Sequence, residues 1–559
     1  MSTTLLVVLA AVIYVAVYFL YGKRIATNVA KLSDKNETTA HRLYDGVDYV
    51  PSKWPVVFGH HFASIAGAGP IVGPIVGITW GWGAAILWIW FGNAFIGAVH
   101  DFMAIVSSVR YDGKSVQWVA GEVMRPRVSV IFGIFVYIAM VLIIAAFANV
   151  VANTFVGVPS VATASILFIV IAVIMGYFLY WKKQSLTVWT IIGLVLLVVA
   201  IIGSQSMPIV MEKMSWIWVL LGYIILAAAL PVTILLQPRD YLNSFLLVAF
   251  LVLGGVAFLL INAPLTWPAF TGFSAYVIGG QPSPFWPTVP LVIACGSLSG
   301  FHAIVGSGTT SKMLDKETQA LRIGYGGMLT EGFLATIVTA SLAAFGLQIA
   351  GVKAAAVGAA GWVPLGIPQF SQAYAMGANQ AFGLSVDFGI TFASLVVCAF
   401  ALTSLDTTCR LGRFAWVDLW ARIIPSPATQ SSGGYKFLTN RWLASAIAAG
   451  LGIYMATTGG VFSAIWAAFG AANQMLAAVA LIAACVFSTN ILRSGQKCWV
   501  TLIPAFFLWI TVFGAMIWFI MVMGSSASPL TIGFLVVLVV LAVILLFESI
   551  AALKRGPNK

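Results

Sequence analysis

Charge is what this sequence has least of. Of its 559 residues only 8% are Asp, Glu, Lys or Arg, while 61% are apolar; soluble domains carry about 25% charged residues. A water-facing surface of ordinary extent cannot be made from so few, and a soluble globular fold is excluded. The five cysteines, Cys295, Cys398, Cys409, Cys485 and Cys498, lie in or beside apolar runs without paired spacing. That excludes a disulfide frame and a zinc ribbon and leaves them as packing residues. No basic residue precedes the first apolar run, Thr4 to Tyr21, and Lys23 and Arg24 follow it at once. This is the reverse of a cleavable signal, so the run is expected to stay as an anchor helix. A phosphate loop is missing too: Gly306 to Lys312 lacks the Gly-Lys-Ser/Thr ending and follows an apolar helix, which dismisses nucleotide binding.

What is present is apolar sequence in runs long enough to cross a bilayer, about 20 residues each. The expected fold is all-α and polytopic, with about fifteen spans at roughly 3–21, 56–80, 83–109, 128–155, 160–181, 186–206, 215–236, 240–263, 288–310, 325–350, 384–408, 441–459, 462–487, 500–523 and 530–552. An odd number places the termini on opposite sides. With the N-terminus outside and the C-terminus cytoplasmic, every Lys and Arg of the 28 except Lys213 and Lys353 falls in an inside segment, as the positive-inside rule requires. The formal charge of +12 is therefore read as topological, with membrane lipid and no nucleic acid as partner, and the location as the cytoplasmic (inner) membrane of a prokaryote. The uncharged outside loop from Pro264 to Pro287 carries Trp267, Phe285 and Trp286, expected as interfacial aromatics. The chain divides into an anchor helix (1–22), a core (23–408) and four C-terminal spans (409–559). The longest inside connections, 22–55 and 409–440, are too short for a sizeable core of their own, so function sits among the helices.

Two spans are poor helices. Span two contains Gly67-Ala68-Gly69-Pro70-Ile71-Val72-Gly73-Pro74, and its prolines delete backbone donors. Released backbone groups cannot face lipid; they must line a protein-enclosed cavity, where they can bind a solute or ion. The competing reading is that these glycines only let helices pack closely. Span nine carries Ser299-Gly300-Phe301-His302, then Gly306-Ser307-Gly308-Thr309-Thr310, and is expected to be interrupted between Gly300 and Gly308. Its hydroxyls and carbonyls suit a sodium ion or a proton site. Each interrupted span places a histidine shortly before Gly-small-Gly, His61 and His302, and seven spans separate them, a hint of an inverted repeat.

Ionisable groups inside apolar spans cost several kcal/mol and are functional candidates by default. His60, His61, His100, His302, Asp101, Glu331 and Asp406 qualify, and in this topology all seven fall in the cytoplasmic half, where they could share one cavity. Each has a bland alternative. A buried histidine can be a hydrogen-bonded structural residue; His100 and Asp101 point about 100° apart on a helix and need not pair; Asp406 can neutralise Arg410 or Arg413. Asn473 and Gln474 serve equally as interhelical glue or substrate contacts. The candidate substrate- or ion-binding residues are His60, His61, Ser64, Gly67, Gly69, His100, Asp101, His302, Ser307, Thr309, Thr310, Asp406, Asn473 and Gln474, with no metal site and no cofactor beyond H+ or Na+ as coupling ion.

Six strings in one order, Gly67 to Pro74, Gly97-Ala98-Val99-His100-Asp101-Phe102, Leu236-Gln237-Pro238-Arg239-Asp240-Tyr241-Leu242-Asn243, Ser299 to His302 with Ser307 to Thr310, Thr403-Ser404-Leu405-Asp406-Thr407, and Phe469-Gly470 with Asn473-Gln474, resemble the carbon starvation protein A family of membrane transporters from about Lys23 to Thr489. The resemblance implies solute uptake during carbon limitation, with peptides and pyruvate both attributed to members, the latter by proton symport. It further implies a LeuT/APC-like core of two inverted five-helix repeats (5+5), with span two as the first core helix, span seven the sixth and span nine the eighth; the seven-span spacing fits a 7+7 repeat instead. The leading expectation is thus an ion-coupled, proton-driven secondary transporter of a small organic solute, and not an enzyme. Against it stand an intramembrane metalloenzyme built on the histidines, although no His-Glu-x-x-His occurs, and a nutrient receptor that does not transport.

Overall fold

The computed structural model describes residues 1–555 except 47, 48, 232, 233, 425, 427–429, 459, 461 and 524–526. It is helical throughout apart from one short hairpin, β1 (Ser274–Tyr276) with β2 (Pro282–Pro284). In chain order the principal helices are α1 (Thr3–Asn28), α2 (Trp54–Ile65), α3 (Gly69–Trp80), α4 (Trp82–Arg110), α5 (Val116–Val123), α6 (Pro126–Gly157), α7 (Pro159–Leu179), α8 (Leu186–Ser204), α9 (Lys213–Ala229) and α10 (Leu236–Leu260). After the hairpin come α11 (Phe285–Val292), α12 (Gly300–Gly308), α13 (Leu321–Ala350), α14 (Ile367–Phe382), α15 (Val386–Ile423), α16 (Arg441–Thr458), α17 (Phe462–Asn490), α18 (Trp499–Met523) and α19 (Pro529–Arg555).

Among the described residues 11 helices are long and apolar enough to cross a membrane, or 12 if the bent pair α2 and α3 is one span. The remaining expected spans are present as helices that are shorter or more polar: α9 at 17 residues, the pair α11 and α12, and α16 at 18 residues. The sequence reading missed α14, whose 16 residues include three Gln, one Asn and one Ser and fall short of a span. It packs between α13 and α15. Burial sorts the helices by composition. The small-residue-rich α17 is enclosed on all sides, whereas over Thr3–Val17 α1 buries the stripe Thr3, Leu6, Val7, Ala10 and Tyr14, a 3–4 spacing that puts one face on protein and leaves the rest for lipid.

Span two breaks where expected. The helix stops at Ala66–Ala68, bends by 45°, and restarts with Pro70 in its first turn, where a missing N–H costs nothing. Span nine breaks elsewhere than expected: the interruption is Ile293–Ser299, and Gly300–Gly308 is helical. Those glycines are packing residues. A Cβ at Gly300 would lie 2.3 Å from the Asn473 carbonyl oxygen, and one at Gly306 would lie 3.0 Å from the Ile105 side chain. Upstream, Pro290 withholds a donor and the Ser297 hydroxyl takes the Ile293 carbonyl at 2.6 Å, so the helical ladder lapses there instead. The two breaks face each other, with Gly69 against the Cys295 side chain and Gly73 against the Ile293 backbone. Trp267 also departs from expectation. It is 1% exposed and donates from Nε1 to Ile78 O at 2.8 Å, so it belongs to the core, while Trp286, 48% exposed, stays at the surface.

Backbone contact as close as that at Gly300 leaves no room for relaxation. Gly300→Ala is expected to lower thermal stability in detergent by about 1–3 kcal/mol, whereas Gly433→Ala, with nothing within 4 Å of the new Cβ, should leave the unfolding midpoint unchanged.

Candidate functional site

The buried polar residues gather where the two breaks meet. The α4 helix carries a π-helical turn at Asn93–Gly97, a local widening common near functional sites, and one turn later presents His100 and Asp101. Asp101 lies at the centre of a network: its carboxylate accepts from His100 Nδ1 at 2.8 Å and from His302 Nδ1, on α12, at 2.8 Å. The neighbours in sequence do pair, because a carboxylate this short can turn back onto the adjacent ring while its second oxygen reaches across to α12. The far side of the His302 ring faces Glu331 of α13, Nε2 to Oε2 3.5 Å. All four side chains are 1% exposed or less. His61, on α2 just before the break, shares a 2.8 Å hydrogen bond with Thr310.

The network is unsaturated. Nε2 of His61, His100 and His302 and both carboxylate oxygens of Glu331 are buried without a hydrogen-bond partner. An atom of this kind left unpaired costs about 1–3 kcal/mol, more when charged. Imidazolium donates from both nitrogens while neutral imidazole keeps one acceptor. Set between two carboxylates, His302 can therefore hold a proton that both stabilise, or release it and leave one side unpaired.

Asp406 does not belong to this network. Among the described residues Asp406 stands in a separate cluster, and the arginine in an ion pair with it is Arg239. On α15 it is paired with Arg239 at the start of α10, whose guanidinium also donates to Asp240 Oδ1 at 2.8 Å, while the Tyr223 hydroxyl of α9 donates to Asp406 at 3.0 Å. Arg410 instead donates to the carbonyls of Ala227 and Leu230. Sequence reasoning passed over Arg239 and Asp240 because they fell at an expected span boundary, between 236 and 240; the structure places both inside α10, with Arg239 at 1% exposure. A criterion that treats charges at span ends as intramembrane would have found them.

The other candidates occupy lesser roles in the geometry. Asn473 and Gln474 of α17 staple the break of span nine: Asn473 Oδ1 accepts from Phe301 N at 2.9 Å, its Nδ2 donates to Ser299 Oγ at 3.0 Å, and Gln474 donates to the Pro290 carbonyl. Ser64 and Thr309 donate to carbonyls of their own helices, and Ser307 in addition receives Val116 N, opening α5. Gly67 lets the unpartnered Ser404 hydroxyl come against the break, and Gly69 admits Cys295. His60 is partly exposed and its side chain makes no hydrogen bond among the described residues. No group of three or more His, Cys, Asp or Glu among the described residues could hold a metal ion.

Two broken helices that cross inside an apolar helical fold, with buried ionisable groups between them and little outside the helices, are the build of a polytopic transporter of small solutes. The particular family follows from comparison. The carbon starvation protein CstA profile matches residues 2–360 and 352–515. The peptide transporter CstA of Bacillus subtilis (strain 168) is 32% identical over 596 aligned positions, covering 99% of this chain and 97% of that protein. The pyruvate/proton symporter BtsT of Escherichia coli (strain K12) is also 32% identical, covering 91% and 80%. This chain belongs to the CstA family. Among solved structures, the Eremococcus coleocola manganese transporter aligns with 91% of the chain at 13% identity and a TM-score of 0.44.

The Arg239–Asp406 pair should behave as buried ion pairs do. Arg239→Met, which strands two buried carboxylates, is expected to cost about 3–5 kcal/mol, and the double change Arg239→Met with Asp406→Leu to recover part of it. Thermal unfolding of the purified variants measures both. A double variant no more stable than the single one would remove the pair from the account.

Proposed function

We propose that this protein imports a small organic solute by proton symport and that His302, held between Asp101 and Glu331, carries the coupled proton. One observation bears most of the weight: His302 touches a carboxylate on each side, in a site sealed from solvent and lying between the facing ends of two broken helices. A proton arriving at His302 satisfies both carboxylates; its departure leaves Glu331 unpaired and the crossing destabilised. Alternating access needs such a difference between loaded and empty states, since a ligand shifts a conformational equilibrium only by its differential affinity for the two forms. The relatives' names supply pyruvate and short peptides as solutes to be tried.

We read the topology as fifteen spans with the N-terminus outside in the inner membrane. The bias of Lys and Arg supports this, as does a helix at each expected position. The broken partner of span two is span nine, seven spans on, which favours a 7+7 repeat over 5+5.

Proteoliposomes with imposed pH or sodium gradients test the coupling, using pyruvate and dialanine as probes. His302→Ala is expected to abolish uphill accumulation at normal protein levels, and His302→Gln to leave exchange of solute without net uptake. Full uphill uptake in the Gln variant would reduce His302 to a structural residue, and wild-type uptake indifferent to both gradients would end the symport reading.

Single cysteines report the topology through membrane-impermeant labelling of whole cells. Positions 312 and 410 are expected to stay unlabelled and position 353 to label; external labelling at 312 would refute the orientation.

A further inference from the structure

We infer that His100 is a positioning residue for the proton site: it donates permanently from Nδ1 to Asp101 and so holds that carboxylate ionised and aimed at His302, without itself carrying the proton. The inference rests on the reading of His302 as the proton carrier and gives the second histidine of the network a separate role.

Close packing brings the three residues together. Gly97 ends the π-helical turn of α4, and a Cβ there would lie 2.4 Å from Ser297 O and 3.1 Å from Leu298 Cα. The α4 helix therefore runs directly against the break of span nine. Four residues on, along the same helix face, Asp101 meets His302. Its two oxygens divide between two rings, Oδ1 to His100 Nδ1 and Oδ2 to His302 Nδ1, each at 2.8 Å.

The two rings are bonded alike at Nδ1 and differ at Nε2. An ionised carboxylate only accepts, so each Nδ1 carries a hydrogen. The Nε2 of His302 faces Glu331 Oε2 at 3.5 Å, so a second proton on that ring meets a carboxylate. The Nε2 of His100 is buried with no partner. A second proton there would bury a charged donor without an acceptor, which costs more than leaving a neutral atom unpaired. A protonated Asp101 donating to His100 meets a similar objection, because the one hydrogen of the neutral ring would then sit on that same Nε2. The bond at one ring nitrogen fixes the state of the other, and here it keeps His100 at a single hydrogen, on Nδ1. His302 is the ring that can change.

The titratable groups facing the pair are His302 of α12, Glu331 of α13, His61 of α2 and Cys295 in the break. Among the described residues, the other elements packed on this part of α4 turn theirs elsewhere. The Tyr325 hydroxyl donates to Ala94 O at 2.8 Å, and Lys312 and Arg322 stand over the rings of Tyr49 and Trp54. Glu122 of α5 is exposed, Cys485 of α17 lies by Cys498, and α18 has no titratable residue. Asp101 thus keeps one donor that it does not lose, and its charge stays in place to draw a proton back to His302.

Three replacements of His100 in the full chain separate the donor from the ring. The amide nitrogen of Asn is as many bonds from the backbone as Nδ1, that of Gln as many as Nε2, and Leu has no donor. In His100→Leu and His100→Gln, uptake of pyruvate and dialanine into proteoliposomes under a pH gradient is expected to fall about tenfold. The pH profile should move about one unit towards alkaline, because Asp101 with one donor fewer holds the His302 proton harder. His100→Asn is expected to restore most of the uptake and the wild-type profile. Nitrogen-15 histidine spectra of the purified protein supply a readout independent of transport. The signal lost in His100→Asn should show one protonated and one bare nitrogen throughout the range in which the signal lost in His302→Gln titrates. A second proton on His100 in that range, or a His100→Asn profile displaced as far as that of His100→Leu, overturns the inference, as does a wild-type profile in His100→Leu. Wild-type uptake indifferent to the pH gradient overturns the coupling reading and this inference with it, so the wild-type trace tells the two failures apart.

Discussion

A helix interrupted inside a membrane exposes donors and acceptors that hydrocarbon cannot satisfy, and this protein is arranged around two such interruptions. It sets them face to face and surrounds them with protein. Gly69 and Gly73 bring one broken span against Cys295 and Ile293 of the other. The enclosed helix α17 then approaches so closely that Gly300 lies on its backbone, and from there Asn473 and Gln474 bond to both sides of the second break. Small residues and two amides thus do what water would do in a soluble protein.

The same enclosure explains where the charges are. A carboxylate buried in a low-dielectric region is tolerated only with counter-charges and donors. Asp406 and Asp240 meet this condition through Arg239 and Tyr223, and the result is a closed cluster joining α9, α10 and α15. Asp101 meets it through two imidazoles. Glu331 meets it only in part, at 3.5 Å from His302. One charged cluster is therefore saturated by hydrogen bonds and ion pairs, while the other leaves the Glu331 oxygens without a hydrogen-bond donor.

Much of the architecture was legible because lipid imposes a one-dimensional rule on sequence: apolar runs of sufficient length become helices, and basic residues mark one side. The break in span two was legible for a similar reason, since Gly67, Gly69 and Pro70 act locally on the backbone. The break in span nine was misplaced because its glycines serve close packing against a helix more than 170 residues away in sequence, which local propensity does not register. The short α14 was missed because it is too polar and too brief for a hydropathy criterion. Among the buried ionisable residues, His302, Asp101 and Glu331 were picked out by their rarity inside apolar runs, whereas Arg239, lying at an expected span boundary, was not.

By itself the sequence determined the all-helical membrane architecture, the family and the set of ionisable groups that had to be accounted for, because each of these follows from composition, from the order of short strings or from the cost of a charge in hydrocarbon. Only the tertiary structure decided which of those groups meet. Asp101 could have paired with several partners, and Asp406 with the arginines beside it in the chain. The choice of His302 for one and Arg239 for the other came from how the broken spans cross and which helix ends are brought together, and hydrogen bonds reaching only about 3 Å are decided by such crossings alone.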